Sequence, residues 1–268
     1  MAAVSGKRPA TVITGASQGL GFALARRLAR EGRAIVLIAR SIEGLAQAAS
    51  ELRSAFPKAL IIAEALDVGT MDAFQRIEQV LERHGLYLDV LVNNAGIAMS
   101  GPFSVQDPSH IDQLVATNIA AVTRLTRMAL PAMRARCRGG ILNLSSLGAF
   151  TPGPWNAAYF ASKAYVLSLT AAISAECAGE GVRICTVTFG PVRTQMLGEL
   201  GGRRTHYKTL FASSSPDRMA RLAWRSYRLG RRVAGPGFTT TVLGWWVRAM
   251  PFEILLPIVS WLMRPRLK

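Results

Sequence analysis

Six short apolar runs punctuate the chain: Ala10–Thr14, Ala34–Ala39, Leu60–Ala65, Val90–Asn93, Gly140–Leu144 and Arg183–Phe189. Each is aliphatic or β-branched and close to continuously apolar, the pattern of a strand covered on both faces. Between them lie longer stretches that read as helices: Leu20–Glu31, Glu43–Ser54, Met71–His84, Ser109–Arg136 and Asn156–Gly179. Regular alternation of strand and helix predicts one α/β domain, a parallel sheet with helices on both sides and right-handed crossovers. No repeat and no low-complexity linker interrupts it. In such a sheet a ligand sits beyond the carboxyl ends of the strands, so the residues just after each strand are the informative ones.

The first strand runs into Thr14-Gly15-Ala16-Ser17-Gln18-Gly19-Leu20-Gly21, and a helix follows. Glycines permit the tight turn and let backbone amides approach a pyrophosphate, while the helix N-terminus adds partial positive charge. Such a turn is informative because it follows the first strand of a βαβ unit. An acidic residue at the end of strand two would accept from an adenosine ribose and repel a 2′-phosphate. The sequence there is Ala39-Arg40-Ser41, with no carboxylate. Arg40 suits a phosphate dianion, which favours NADP(H) over NAD(H); the alternative is a solvated loop cation. Strand three ends at Asp67-Val68, where Asp67 suits either an adenine amine or the cap of the helix near Met71. Strand four ends in Asn93-Asn94-Ala95-Gly96, a small-residue turn against which a dinucleotide can lie closely.

Strand five ends in Asn143-Leu144-Ser145-Ser146, and Tyr159-Phe160-Ala161-Ser162-Lys163 follows. The i,i+4 spacing places the phenol of Tyr159 and the ammonium of Lys163 on one helix face. A free tyrosine is a poor base at neutral pH, but an adjacent ammonium stabilises the phenolate and lowers its pKa. Proton exchange with an alcohol then becomes feasible. Tyr-x-x-x-Lys alone is a weak signal; the strand-end serine and the upstream glycine turn strengthen it.

Together these motifs resemble the short-chain dehydrogenase/reductase family, over about Ala10 to Leu229 and in the family's order. Its TGxxxGxG motif is matched by Thr14, Gly15, Gly19 and Gly21, and its NNAG motif by Asn93 to Gly96. Its helix asparagine is matched by Asn118, and its serine by Ser146, thirteen positions before Tyr159. The Pro-Gly motif after strand six is Phe189-Gly190-Pro191-Val192-Arg193-Thr194, with Phe189 replacing the usual first proline. The resemblance implies a single Rossmann-type doubly wound parallel sheet of about seven strands, in order 3-2-1-4-5-6-7. It implies a catalytic set of Asn118, Ser146, Tyr159 and Lys163. Ser146 and Tyr159 would hold the substrate oxygen, and Tyr159 would give or take the proton. Lys163 would lower the tyrosine pKa and bind the nicotinamide ribose, and Asn118 would position a water linking Lys163 to solvent. The implied cofactor contacts are Gly15, Ser17, Gln18, Gly19, Leu20, Gly21, Arg40, Ser41, Asp67, Val68, Asn94, Ala95, Gly96, Tyr159, Lys163, Pro191, Val192 and Thr194. The Arg40 run resembles NADP-preferring members, although some of those carry a basic residue where Gln18 stands. The division is a catalytic domain over 1–232, with a cofactor half over about 1–138 and a substrate half over 139–232, then an extension over 233–268. The family also implies a homodimer or tetramer through the long helices around Ser109–Arg136 and Asn156–Gly179.

Charge changes the picture at the C-terminal end. The formal net charge is +16, and 13 of the 32 Lys and Arg but only 2 of the 16 Asp and Glu lie from Gly201 onward. Ser215-Pro216 opens a helix. Its Arg218, Arg221, Arg225 and Arg228 form a basic stripe beside Met219, Leu222, Ser226 and Leu229. A solvated outer face or a surface for anionic lipid fits that stripe. Nucleic acid is not expected, because no aromatic reading motif accompanies the charge. Met196, Leu197, Leu200, Tyr207, Leu210 and Phe211, with Met99, Phe150 and Trp155, suggest either an apolar pocket for a lipophilic ketone or alcohol, or ordinary core. Val242–Met263 is apolar and contains Trp245, Trp246 and Trp261, but Arg248, Glu253, Pro251 and Pro257 argue against a clean membrane span. It reads as two short amphipathic helices, in a membrane interface or packed over the substrate mouth and a dimer partner. This tail also resembles those of some bacterial family members.

Cys137, Cys177 and Cys185 are scattered, which favours a reducing compartment over a disulfide framework. His84, His110 and His206 have no ligand spacing, so no metal is expected. The polar leader before Ala10 does not read as a secretory signal. The expected location is cytoplasmic, peripheral at the inner membrane face if the tail meets lipid. The leading reading is an NADP(H)-dependent oxidoreductase on a lipophilic ketone or aldehyde and alcohol. The alternatives are an NAD(H)-dependent alcohol dehydrogenase, a non-catalytic dinucleotide-binding scaffold, and a membrane-surface structural protein.

Overall fold

The computed structural model describes residues 6–194, 196, 213–235, 246 and 250–264. Strands Arg8–Thr14 (β1), Ala34–Ala39 (β2), Ile61–Ala65 (β3), Leu86–Asn93 (β4), Gly139–Ser146 (β5) and Val182–Phe189 (β6) occupy the six apolar runs. A short seventh strand, Val233–Ala234 (β7), completes a sheet of order β3-β2-β1-β4-β5-β6-β7, in which every pairing is parallel. β7 has only two residues, too few to show as an apolar run, and it falls just past residue 232.

The helices of the cofactor half are Gly19–Ala29 (α1), Ile42–Ala55 (α2) and Ala73–Arg83 (α3). The stretch expected as one helix from Ser109 to Arg136 is divided. Pro108–Val115 (α4) leads into a π-helical turn over Ala116–Ala121, and Val122–Ala135 (α5) follows with Pro131 inside it. A π turn carries one extra residue per turn, which shifts the helical face and marks functional positions more often than ordinary ones. Ala157–Glu176 (α6), Pro216–Arg228 (α7) and Phe252–Met263 (α8) follow.

Neighbouring strand residues point to opposite faces, so each apolar run feeds two cores. Ile13, Ile35 and Leu37 join Leu24 and Leu28 of α1, Leu45 and Leu52 of α2, and Trp224 of α7. Val12, Val36 and Ile38 join Phe74 and Ile77 of α3 and Leu125 and Met133 of α5. Leu24 and Leu52 are fully buried, so truncating either to alanine would cost about 2–5 kcal/mol. The inner face of α7 differs from the expected Met219, Leu222, Ser226 and Leu229. It is built from Met219, Ala220, Ala223, Trp224, Ser226 and Tyr227, while Leu229 is exposed. Trp224 and Tyr227 lie i,i+3 on the helix and stack with centroids 5.0 Å apart, and Arg33 covers the indole. Two large aromatic rings set the buried face here, and the arginine stripe marks the outer one.

A third cluster lies apart from those two. Ile97, Ala98, Met99, Leu114, Tyr159 and Phe160 pack with Leu255, Val259 and Met263 of α8. α8 is one helix with Pro257 inside it, apolar on both its buried and its exposed sides. Val242 and Trp245, and Arg266 and Lys268, lie outside the described residues. No helix among the described residues is long and apolar enough to cross a membrane.

Candidate active site

The turn after β1 is built for close backbone approach. Gly15 and Gly19 hold φ of +65° and +61°, a left-handed conformation that costs other residues roughly 1 kcal/mol or more. A Cβ on Gly15 would stand 2.8 Å from the Cα of Ala95, so β1 and the turn after β4 touch through hydrogen atoms alone. Gly21 is equally confined, against the side chain of Asn94 and the Gly15 carbonyl. Thr14 and Asn94 tie these turns together. The Thr14 hydroxyl accepts from Asn94 N and Ala95 N, both at 3.0 Å. The Asn94 Nδ2 donates to the carbonyls of Thr14 and Gly15, both at 2.8 Å. Gln18 precedes α1 in extended conformation and places no side-chain cap on it. The first N–H groups of α1 therefore have no intrahelical partner and sit beside the cleft.

That cleft has a volume of about 420 Å³ and runs past the ends of six strands, β1 to β6. It is lined by Gly15, Ser17, Gln18, Gly19 and Leu20, then Arg40 and Ser41, Asp67 and Val68, and Asn94, Ala95 and Gly96. Ser146, Tyr159, Lys163, Pro191, Val192 and Thr194 complete it. Two residues expected at the site stand behind the wall instead: Gly21, against Asn94, and Asn118. Ile38, Leu66, Thr117 and Phe189 line the cleft as well. In sequence, the three apolar ones are indistinguishable from core, and Thr117 is marked only by its place beside Asn118.

Arg40 is exposed at the cleft edge, and no carboxylate among the described residues pairs with it. Ser41 is the N-cap of α2, accepting from Gly44 N at 3.0 Å. Asp67 does not cap the helix near Met71. Its Oδ1 accepts from Gly69 N at 2.8 Å in a local turn, and Asp72 takes the cap position of α3. The residues present fit a dinucleotide: a glycine cradle that a Cβ would fill, uncapped helical N–H groups for a pyrophosphate, and a cation at the ribose end.

The other end of the cleft is a buried polar pocket. Tyr159 and Lys163 are 5% and 7% exposed. Burial pushes the Tyr159 phenol up to about 12, partly opposed by a hydrogen bond with the Ser146 hydroxyl. Burial brings Lys163 down to about 8. Sequence reasoning expected the ammonium to lower the phenol's pKa. The Nζ stands 5.6 Å from the ring centroid and donates to the Leu144 carbonyl at 3.3 Å, and in this structure burial is the larger influence on the phenol. Ser146 caps the short turn Leu147–Phe150, accepting from Gly148 N at 3.1 Å. Its neighbour Ser145 donates to the Lys163 carbonyl at 2.9 Å and anchors α6 to β5.

Asn118 lies in the π-helical turn. Its Oδ1 accepts from Ile97 N at 2.8 Å, and its Nδ2 donates to Ile97 O at 2.9 Å and Ser162 Oγ at 3.1 Å. It thus clamps the strand-four loop against α6. A Cβ on Gly96 would stand 3.4 Å from Asn118 Oδ1 and 3.6 Å from Lys163 Nζ, so both polar atoms flank the same small space. Met99 and half-buried Trp155 and Met196 pack in the cluster that contains Tyr159, and Phe150 is half-buried close by in sequence. Leu197, Leu200, Tyr207, Leu210 and Phe211, also expected around a pocket, lie outside the described residues, as does His206. No group of metal-ligating side chains occurs among the described residues.

Comparison with known proteins agrees with this geometry. The short chain dehydrogenase family model matches residues 9–204. A ketoacyl reductase, HetN, from a Nostoc species is 37% identical over 192 residues, 72% of this chain and 66% of that protein. The chain thus spans about two thirds of that relative's length. A short-chain dehydrogenase from Sphingobium yanoikuyae, solved in complex with NADPH, aligns with TM-score 0.77 and 30% identity over 86% of this chain and 88% of that one. The 3-ketoacyl-(acyl-carrier-protein) reductase from Brucella melitensis, solved with NADH, aligns with TM-score 0.74 and 27% identity over 88% of this chain and 99% of that one.

Proposed function

The chain belongs to the short-chain dehydrogenase family, and from that premise we propose that it interconverts a lipophilic ketone or aldehyde and the matching alcohol with NADP(H). The observation that carries this reading is the meeting of a glycine-turn cradle with Tyr159, Lys163 and Ser146 in one cleft. When bound, the dinucleotide supplies or accepts the hydride, which no protein side chain can do. The N–H groups at the start of α1 would hold its pyrophosphate, and Arg40 its 2′-phosphate. Asp67 and Val68 would meet the adenine, and Lys163 and Thr194 the nicotinamide end.

The remaining steps belong to this chain's own residues. Tyr159 keeps its proton at neutral pH, because burial holds its pKa near 12, and gives it to the substrate oxygen in reduction. The Ser146 hydroxyl, bonded to that phenol, holds the same oxygen and fixes its position. Lys163, near 8, takes up and releases protons close to neutral pH and resupplies the phenol. Asn118 faces the small space beside Gly96 that Lys163 also faces, and a water held there would link Lys163 to solvent. The apolar side chains around Tyr159 support a lipophilic substrate, and the ketoacyl reductase relatives suggest a 3-ketoacyl chain as first probe. The catalytic unit is residues 1–232, with 233–268 as an extension. A homodimer or tetramer through α4, α5 and α6 is supported by the exposed Val115, Met128 and Tyr165 on those helices.

Titrating NADPH and NADH against protein fluorescence, then following cofactor absorbance with lipophilic ketones, tests the reading. Tighter NADPH binding and turnover of at least one long-chain ketone are expected. Equal or tighter NADH binding overturns the cofactor preference. Gln18, in place of a basic residue, is the feature that favours that second reading.

A further inference from the structure

We infer that the outer face of α8 docks this protein onto an anionic bilayer surface. The inner face of the helix is spoken for. Leu255, Val259 and Met263 recur at i,i+4 and are buried in the cluster with Tyr159 and Phe160. Ile254, Pro257 and Ile258 lie half a turn away on the opposite side, and all three are exposed. Ile254 is 56% and Ile258 46% exposed, with Phe252 at the helix start 57% exposed. A helix on the surface of a water-soluble domain normally turns a polar face outward. Here the outer face is as apolar as the inner one, and such contiguous patches mark interaction sites.

Charge selects the occupant. Of the 32 Lys and Arg, 13 lie from Gly201 onward, against 2 of the 16 Asp and Glu, so the end of the chain that carries this helix is strongly basic. An anionic lipid surface gains from the same charge. Glu253 is the only acidic residue in α8, and Arg264 follows its last residue, exposed. Arg266 and Lys268 come next in the sequence. Apolar side chains on one side of a helix that is followed directly in the chain by basic residues are the composition of an interfacial helix, and α8 falls short of a membrane span. The inference concerns the outer face of α8 alone and stands whether or not the substrate reading above holds.

The test is co-flotation of the full chain with vesicles of phosphatidylcholine alone and of phosphatidylcholine mixed with phosphatidylglycerol. The protein should float with the mixed vesicles and leave them in roughly 1 M salt, where the screening length is about 3 Å. The double variant Ile254→Gln, Ile258→Gln should bind mixed vesicles about tenfold or more weakly, through loss of buried apolar surface. Its melting temperature and dinucleotide titration should match the parent, since neither side chain enters the core. Equal binding to the two vesicle types overturns the inference, as does unchanged binding of the double variant. It is also overturned if the substitutions turn a dimer into a monomer while vesicle binding stays the same, because a second copy then covers this face.

Discussion

The two ends of the cleft are built on opposite principles. At the glycine cradle the polar atoms of Thr14 and Asn94 are satisfied by neighbouring backbone, through four hydrogen bonds of 2.8–3.0 Å. Shape there is set by main chain and by the absence of Cβ atoms. At the catalytic end two ionisable side chains are buried with little compensation. Lys163 has one carbonyl at 3.3 Å, and both groups are pushed toward their neutral forms. The cradle is therefore part of what makes the fold stable, while the catalytic pair is a cost that the rest of the fold carries. Proteins accept such local conflict where chemistry needs it.

Substitutions should separate the two ends. The largest effect is expected for Tyr159→Phe, which removes the proton donor and should lower kcat for ketone reduction by roughly 10²–10⁴-fold. The thermal melt should be unchanged or slightly raised, because a buried hydroxyl is lost from an apolar cluster. A variant that melts earlier would place Tyr159 with the stabilising parts of the fold. Gly15→Ala should do the reverse. Left-handed backbone and contact with Ala95 together should cost about 3 kcal/mol of stability, read by denaturant unfolding. Dinucleotide binding should weaken in the same variant, and an unaffected fold would break the contrast.

Proton linkage sharpens it further. Lys163 falls from 10.5 unfolded to about 8 folded, so between those values the unfolded chain binds more protons and stability rises with pH. Tyr159 rises from 10.0 to about 12, so its contribution is lost over that higher window. Urea midpoints of the parent should therefore climb between pH 8 and 10.5 relative to Lys163→Met, by the equivalent of a few kcal/mol. Parallel curves for the two proteins would mean that the lysine is not desolvated. The smallest effect is expected for Arg40→Ala. It should weaken NADPH binding by about tenfold to a hundredfold, the worth of a charge-assisted contact, and leave NADH binding and the melt alone.

What was legible in the sequence follows the same division. Strands covered on both faces are continuous apolar runs, so β1 to β6 could be read within a few residues. The cradle could be read because its geometry needs particular residues, Gly15, Gly19 and Gly21, at particular spacings. Tyr159 and Lys163 could be read because helical spacing alone brings them together. The rest depended on tertiary context. β7 is two residues that follow α7 and pair with β6, too few to leave a pattern of their own. The π turn at Ala116–Ala121 gives no compositional sign, yet it puts Asn118 against Ile97 rather than on the cleft wall. The face of α7 is decided by where Trp224 and Tyr227 fit, which periodicity within a basic helix does not reveal. The charged residues and prolines within Val242–Met263 suggested two short amphipathic helices. α8 instead shows that both sides of one helix can be apolar when the inner one belongs to the core.

The pairing of β1 with β4 has a consequence for biosynthesis. The two strands pair from Arg8 with Leu86 to Ile13 with Val92, with a one-residue shift between Ala10 and Thr11, so the centre of the sheet joins positions far apart in the chain. As the chain leaves the ribosome, β1, β2 and β3 can assemble on their own, but β1 then presents an open edge. That edge closes only when β4 arrives, and Asn94, which pins the Gly15 carbonyl, arrives with it. A dinucleotide in the cell therefore meets no finished cradle on the nascent N-terminal segment and cannot template its early folding. Closure over such a long sequence separation is slow. Until β4 emerges, β1 is an unpaired strand edge of the kind that invites aggregation.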